Sequence, residues 1–345
     1  MKRRILAIAL IIVFALGMTA CKSSSDKPAD DSKEEKTEEK GADDYAMRIP
    51  LTGIMCEAPT SVAYLLGYFD DEGLKYETYK TDGTTNYDTM LSGQNDVIFG
   101  LLPTMVQRMA SGFKMDVVMG AHYGCINMVV SKDSGITSVD DLKGKKIGVP
   151  GLGSDPCVML QRVLKAHNIG ASADNMEVQI MAFEDADLQA AMEEGQIDAM
   201  ISWDPFATQV AEQDGAAMIY QQAKDELTKD EYCCLIGLRE EFVKEHPESA
   251  LAYCKAMQKA CDYIAKNPEE AAKLIIDNDL CGCDDVELTT QLLDSYKYEA
   301  QTQAAKLSFQ TCTQDLMDLK IIDIDQTAEE FTNNAFNTIE GFDCK

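Results

Sequence analysis

Beyond residue 45 the chain alternates short apolar runs with stretches whose apolar positions recur at helical spacing. Residues 47–54, 74–79, 96–101, 116–121 and 126–131 read as strands, and 60–69, 87–92 and 103–111 between them as helices. A second set follows Lys132. There Ser138-Val139-Asp140-Asp141 has the form of a capping box for a short helix. Strands at 146–149, 177–182, 199–203 and 217–220 alternate with helices at 154–167, 187–194 and 205–213. After a last strand at 232–238 the pattern turns helical, and Asn267-Pro268-Glu269-Glu270 supplies an N-cap, a proline at the first helical position and acids in the first turn. Alternating strands and helices imply largely parallel sheets covered on both faces. Two such sets followed by a helical tail predict an α/β chain of two lobes.

The first residues follow a different pattern. Lys2, Arg3 and Arg4 precede an unbroken apolar run over residues 5–16, too short to span a bilayer, which takes about 20 residues, and suited to the core of an export signal. The segment Leu16-Gly17-Met18-Thr19-Ala20-Cys21 resembles a bacterial lipobox, with Met18 where leucine is usual. The resemblance implies a signal peptide over 1–20 and lipidation at Cys21. Residues 22–44 hold no large apolar side chain and cannot offset the entropy of ordering. Residues 21–44 are therefore expected to form a disordered acidic tether.

Charge narrows the partners. The chain of 345 residues carries 31 Lys and Arg against 59 Asp and Glu, a formal net of -28 that disfavours phosphate backbones, so no nucleic acid partner is expected. Catalytic signatures are missing too: there is no HExxH, GxSxG, P-loop or CxxC, and the three histidines are His122, His167 and His246. An enzyme is not expected, and no cofactor. Twelve cysteines, however, are many for an exported chain without a CxxC pair.

Several stretches, in order, resemble the extracytoplasmic solute-binding proteins of bacterial ABC importers, in the nitrate/sulfonate/taurine and thiamine-pyrimidine group. They are Tyr64-Leu65-Leu66-Gly67-Tyr68-Phe69-Asp70-Asp71-Glu72-Gly73-Leu74, Ser92-Gly93-Gln94-Asn95-Asp96-Val97, the run from Ser134 through Asp140-Asp141-Leu142-Lys143-Gly144 to Val149, Gly195-Gln196-Ile197-Asp198-Ala199, and Asn267-Pro268-Glu269-Glu270-Ala271-Ala272. The resemblance covers roughly residues 46 to 275 and implies a periplasmic-binding-protein-like fold of type II. In that fold two α/β lobes joined by two crossover strands close on a ligand by hinge motion. By this analogy Ile126–Ser131 and residues 234–238 are the crossovers. The first lobe then takes 45–130, the second 131–233, and 234–345 returns to the first lobe with the helical tail. It further implies a monomeric, lipid-anchored receptor on the extracytoplasmic face of a bacterial membrane, delivering a small-molecule solute to ABC permease subunits with a cytoplasmic ATPase.

In open parallel sheets ligands sit beyond the carboxyl ends of strands. Those ends give six cleft segments, around 55–60, 100–104, 122–127, 151–157, 203–205 and 232–234. The ligand-binding set expected from them is Cys56, Glu57, Thr60, Thr104, His122, Tyr123, Cys125, Ser154, Asp155, Trp203, Asp204, Cys233 and Cys234. Trp203, the single tryptophan, is read either as a stacking surface with Asp204 orienting a donor, or as interlobe packing with Asp204 capping the helix that follows. Ser154 is read as a helix cap that leaves amide groups for a ligand oxygen, or as a cap alone. The segments hold no Lys or Arg but include Glu57, Asp155 and Asp204, which favours a neutral or cationic organic solute, such as a heterocycle of the thiamine-pyrimidine kind, over nitrate or a sulfonate.

Cys56, Cys125, Cys157, Cys233 and Cys234 all fall in these segments. Three readings stay open: small buried apolar residues, disulfides, or soft ligands that with His122 hold a transition metal or its chelate. Related eukaryotic thiamine-pyrimidine synthases carry a longer cysteine run thought to bind iron, of which Cys233-Cys234 looks like a shortened form. Adjacent strand residues point to opposite faces, so only one of Cys233 and Cys234 is expected to face a ligand. Cys281-Gly282-Cys283 is too close for an ordinary bridge and is expected in a turn.

Overall fold

The computed structural model describes residues 44–342. The expected signal peptide, the Cys21 anchor and the tether up to residue 43 lie outside the described residues, as does Cys344. In chain order the elements are β1 (Met47–Leu51), α1 (Ala58–Leu65), α2 (Tyr68–Asp71), β2 (Tyr76–Lys80), α3 (Asn86–Leu91), β3 (Val97–Leu101), α4 (Leu102–Ala110), β4 (Asp116–Tyr123), β5 (Ile126–Ser131), β6 (Lys146–Val149), α5 (Asp155–Ala166), β7 (Gln179–Ala182), α6 (Leu188–Glu193), β8 (Ala199–Trp203), α7 (Phe206–Ala211) and β9 (Ala216–Gln221). The return and tail add β10 (Tyr232–Leu238), α8 (Glu240–Glu245), α9 (Pro247–Lys266), α10 (Pro268–Asp277), α11 (Val286–Ser295), α12 (Thr302–Asp318) and α13 (Ala328–Ala335).

The apolar runs become strands because both of their faces are covered. All of β10 is buried, as is β5 up to Val130, which is why neither shows polar alternation. On one side β1 pairs parallel with β2, and β10 lies antiparallel between β3 and β4. The Asp96 amide donates to the Arg48 carbonyl at 3.0 Å and ties β1 to the start of β3. On the other side the order is β7-β6-β8-β5-β9, with β5 antiparallel to both neighbours. The three-stranded and five-stranded sheets thus each contain one reversed strand, and it is the strand by which the chain arrives from the other of the two.

That topology moves the crossing points. Ile126–Ser131 pairs with β8 and β9, so residues 126–130, expected in the first lobe, belong to the second sheet. The first connection is only Gly124 and Cys125. The second runs over residues 222–231, and Tyr232 and Cys233, expected in the second lobe, already pair or lie within β10 of the first sheet. The physical reason is pairing: an apolar run continues a sheet as soon as a partner edge is available, before the composition changes. The two connections touch. Gly124 has φ +39°, and a Cβ there would stand 2.3 Å from the Ala223 nitrogen, so only glycine fits this close approach.

The tail helices pack on helices and strands from the first part of the chain. The long α9 packs on α1 and α2, with Tyr253 stacked on Phe69 of α2, and buries Cys254, Met257, Cys261 and Ile264 at helical spacing, the Cys261 thiol turned to the Ala121 carbonyl of β4. Helix α12 lies on β4 and α4. Residues 296–301 run beside β4, where the Tyr123 amide donates to the Tyr296 carbonyl (2.8 Å) and the Gly120 amide to the Gln301 carbonyl (2.9 Å). Shorter differences have local causes. The helix expected over 60–69 divides at Gly67, whose φ is +75°, and the box at Ser138 heads a single 3-10 turn, Val139–Leu142. No helix among the described residues is long and apolar enough to cross a membrane.

Candidate functional site

The carboxyl ends of β1, β4 and the start of β10 converge where the two connections meet. After β1 a 3-10 turn, Met55–Glu57, runs into α1 at Pro59 and buries Cys56 and Glu57. His122 is the last residue but one of β4, Cys125 sits in the first connection, and Cys234 pairs with His122 across the ladder. The ligating atoms of Cys56, His122, Cys125 and Cys234 all lie within 4.8 Å of one another, and all four residues are buried. Cys233 adds a fifth group, its sulfur 3.3 Å from that of Cys125.

That both adjacent cysteines reach this point corrects the expectation of one. Along β4 the pairing jumps from Tyr232 opposite Tyr123 to Cys234 opposite His122, with an irregularity at each step, so Cys233 is skipped. A bulge of this kind breaks the strict alternation of faces. Cys157 is not part of the cluster. It is buried on α5, and burial pushes its thiol up to about 11.

Protons in the cluster are shared. Hydrogen bonds from Cys125 and Cys234 hold the Cys56 thiol well below its ordinary value, while the bond to Cys233 holds Cys125 well above. The His122 ring has fixed contacts: Nδ1 lies 3.0 Å from the Tyr123 carbonyl, which can only accept, so Nδ1 carries a hydrogen. Its Nε2 is buried without a hydrogen-bond partner. The ring packs against Tyr296 and Tyr298, each with centroids 5.2 Å away and 6.1 Å from each other, and faces Phe99 at 6.1 Å. Tyr298 in turn donates to the Met55 carbonyl at 3.0 Å. These two tyrosines were missed in the sequence because they lie in a stretch with no periodicity after α11.

The second sheet supplies the opposite wall. Asp204 follows β8, its amide donating to the Cys125 carbonyl at 2.9 Å. Its carboxylate accepts from Asn127 Nδ2 at 2.7 Å and from Thr208 Oγ1 at 2.7 Å. The Thr208 amide also donates to Asp204 Oδ1 at 3.3 Å, so Asp204 holds the first turn of α7 while also tying it to β5. Burial raises its carboxyl to about 6 against these hydrogen bonds. Trp203, opposite Ile126 in the ladder, keeps a buried Nε1 without a partner. Ser154 caps α5, accepting from the Cys157 amide at 3.4 Å and donating to the Gly151 carbonyl at 2.7 Å.

Helices on the two sheets meet at several points: Arg162 and Lys165 of α5 pair with Asp315 and Asp318 of α12, and α5 also bonds α4. The Asp155 carboxylate at the start of α5 accepts from the Thr104 amide and from Thr104 Oγ1 of α4, both at 2.8 Å. Burial raises Asp155 to about 6 in spite of these bonds, and raises Glu57 to about 8. Thr60 is buried on α1 beside Tyr253. Tyr123 turns away to stack on Tyr232, with centroids 4.3 Å apart, so it contributes its carbonyl rather than its ring.

A family model described as NMT1/THI5 like matches residues 57–271, close to the span that the sequence stretches covered. The chain belongs to the NMT1/THI5-like family. A Brucella abortus relative named as a binding protein is 28% identical over 249 residues, 71% of this chain and 70% of its own length. The 4-amino-5-hydroxymethyl-2-methylpyrimidine phosphate synthase of Aspergillus parasiticus is 25% identical over 235 residues, 64% of this chain and 66% of its own. Among solved structures, the periplasmic aliphatic sulphonate binding protein of Escherichia coli superposes with a TM-score of 0.68 at 16% identity, covering 87% of this chain and 95% of that one. The two-lobed periplasmic-binding-protein fold implied by the sequence is therefore the fold of this family member.

Proposed function

We propose that this NMT1/THI5-like protein is the extracytoplasmic receptor of an ABC import system, anchored through Cys21, that encloses a small organic solute between its lobes and passes it to the permease. The observation that supports this reading is the Thr104 to Asp155 contact, a bond between a helix on the first sheet and a helix on the second where the cleft is expected. Closure of one lobe on the other is the motion by which two-lobed binding proteins capture ligands. A neutral or cationic solute is favoured because the six segments hold Glu57, Asp155 and Asp204 and no Lys or Arg. Trp203 would stack on the solute or donate from Nε1, while Asp204, Glu57 and Ser154 orient it.

Relatives named for sulfonate binding and for pyrimidine synthesis frame the choice of compounds to test. Purified protein is melted with pyrimidines, amines, sulfonates and nitrate, and the fluorescence of Trp203 is followed in parallel. A true ligand at a hundredfold over its Kd stabilises by about 2.7 kcal/mol. The reading is abandoned if no organic compound shifts the melting point. Membrane attachment is tested separately by labelling cells with a radioactive fatty acid, which Cys21→Ala should no longer incorporate.

A further inference from the structure

We infer that Cys56, His122, Cys125 and Cys234 form a four-coordinate site for a soft or borderline d10 metal cation, zinc(II) being the ion that fits best, at the floor of the interlobe cleft. Three thiols and one imidazole are the donor set that tetrahedral zinc takes in closed sites. With bonds of about 2.3 Å to sulfur and 2.0 Å to nitrogen, the ligand atoms of such a site stand roughly 3.5 to 3.8 Å apart. Here none of the four is more than 4.8 Å from another, and a tetrahedron at that limit would need inward shifts of about 0.6 Å for each sulfur and about 0.9 Å for the nitrogen.

Two further features point to a cation rather than to a thiol cluster packed for its own sake. His122 Nδ1 donates to the Tyr123 carbonyl, which in the neutral ring leaves the lone pair on Nε2, and Nε2 is the buried atom with no hydrogen-bond partner. Donation of the second ring nitrogen to a carbonyl is the support that metal-bound histidines use. Tyr296 and Tyr298 pack on the ring together, their own centroids 6.1 Å apart, and Phe99 stacks on it at 6.1 Å, so the ring plane is held. Cys233, 3.3 Å from Cys125, is placed to donate its thiol hydrogen to a metal-bound Cys125 sulfur. Because three ligands come from the first sheet and its turns and Cys125 from the connection itself, a bound ion would pin the first connection to the first lobe. The site stands whether the ion is cargo, part of a chelated cargo, or a fixed component beneath an organic solute.

The test uses the full chain purified without oxygen, reduced, loaded with zinc chloride and passed through a desalting column. One zinc per chain is expected by elemental analysis. Cobalt(II) in its place should give intense visible bands of tetrahedral geometry and a thiolate-to-cobalt band in the near ultraviolet. Cys234→Ser and His122→Gln should each weaken zinc affinity at least tenfold, while Cys312→Ser, a buried thiol on α12, leaves it unchanged. Less than a tenth of an equivalent of zinc on reduced, folded protein overturns the proposal, as does full stoichiometry in the His122→Gln, Cys234→Ser double variant. If those variants do not fold, the parent protein decides: a weak octahedral cobalt spectrum without the thiolate band overturns it equally. Failure here leaves the solute-receptor reading intact, because that rests on melting shifts with organic compounds.

Discussion

The sulfur of Cys125, in the first connection between the sheets, lies 3.3 Å from that of Cys233, at the second residue after the chain has returned through the other connection. A disulfide needs about 2.05 Å, so an approach of roughly 1.3 Å would join them. Mild oxidation of the reduced protein with diamide should therefore link this pair. Peptide mapping should show a loss of two hydrogens and a cross-link between the Cys125 and Cys233 peptides, prevented by prior loading with zinc. A linkage dominated by any other cysteine pair, or one that survives Cys125→Ser, would show that the sulfurs are not neighbours in solution.

The Thr104 to Asp155 contact predicts how stability depends on pH. Burial raises Asp155 and Asp204 to about 6, above the unfolded value near 3.9. The folded protein then holds these protons more tightly than the unfolded chain, so their contribution to stability grows as pH falls through 6 and is complete below about 4. Each group is worth about 3 kcal/mol across that window. In Asp155→Asn the side-chain oxygen still accepts from the Thr104 amide and the nitrogen donates to Thr104 Oγ1, so the contact survives without its titration. Urea unfolding at pH 5 and pH 7.5 should show a smaller difference for this variant than for the parent, with the variant the more stable of the two at pH 7.5. An unchanged difference would mean that Asp155 is not the titrating group.

Much of this geometry was readable because it follows from local rules. Tyr232–Leu238 was placed to the residue, since a wholly apolar run has one stable location, the middle of a sheet. The segments holding Cys56, His122, Cys125 and Cys234 were identified from strand ends alone. Their meeting within 4.8 Å was not, because it depends on the sheet order, with β10 inserted between β3 and β4. The skipped residue at Cys233 was likewise hidden: a bulge arises from the fit between two strands and leaves no mark on either. Tyr296 and Tyr298 were invisible for a third reason, since they are ordered by hydrogen bonds to the edge of β4 rather than by any pattern of their own.

A buried ion pair joins the second connection to the lobe it leaves. Arg162 of α5 bonds both Glu231 oxygens at 2.6 Å and also meets Asp315 of α12 at 2.9 Å, with only 4% of its side chain exposed. Removing one partner of such a pair usually costs 3 to 5 kcal/mol, roughly, because a charge is left buried. Asp315 remains to compensate Arg162, so Glu231→Gln should cost about 2 kcal/mol in urea unfolding. Replacing Arg162 by Met together with Glu231 by Leu should cost less than the sum of the single changes, since no charge is then stranded. Simple additivity would mean that the two side chains do not interact.

The tightest constraint on the hinge is Gly124. An added Cβ there would lie 2.3 Å from the Ala223 nitrogen and 2.6 Å from its Cα, and its φ of +39° is one that other residues adopt only with strain. Backbone atoms on the opposing connection cannot swing away as a side-chain tip does. Gly124→Ala should therefore force the two connections apart and destabilise the protein by about 2 kcal/mol or more. Gly153 is a suitable control, because a Cβ added to it meets nothing within 4 Å, and Gly153→Ala should change stability by no more than about 0.5 kcal/mol. Separating the connections also separates Cys125 from Cys233, so the alanine variant at Gly124 should lose the diamide cross-link while remaining folded by circular dichroism. If Gly124→Ala is as stable as Gly153→Ala and cross-links as readily as the parent, the connections do not touch at this point.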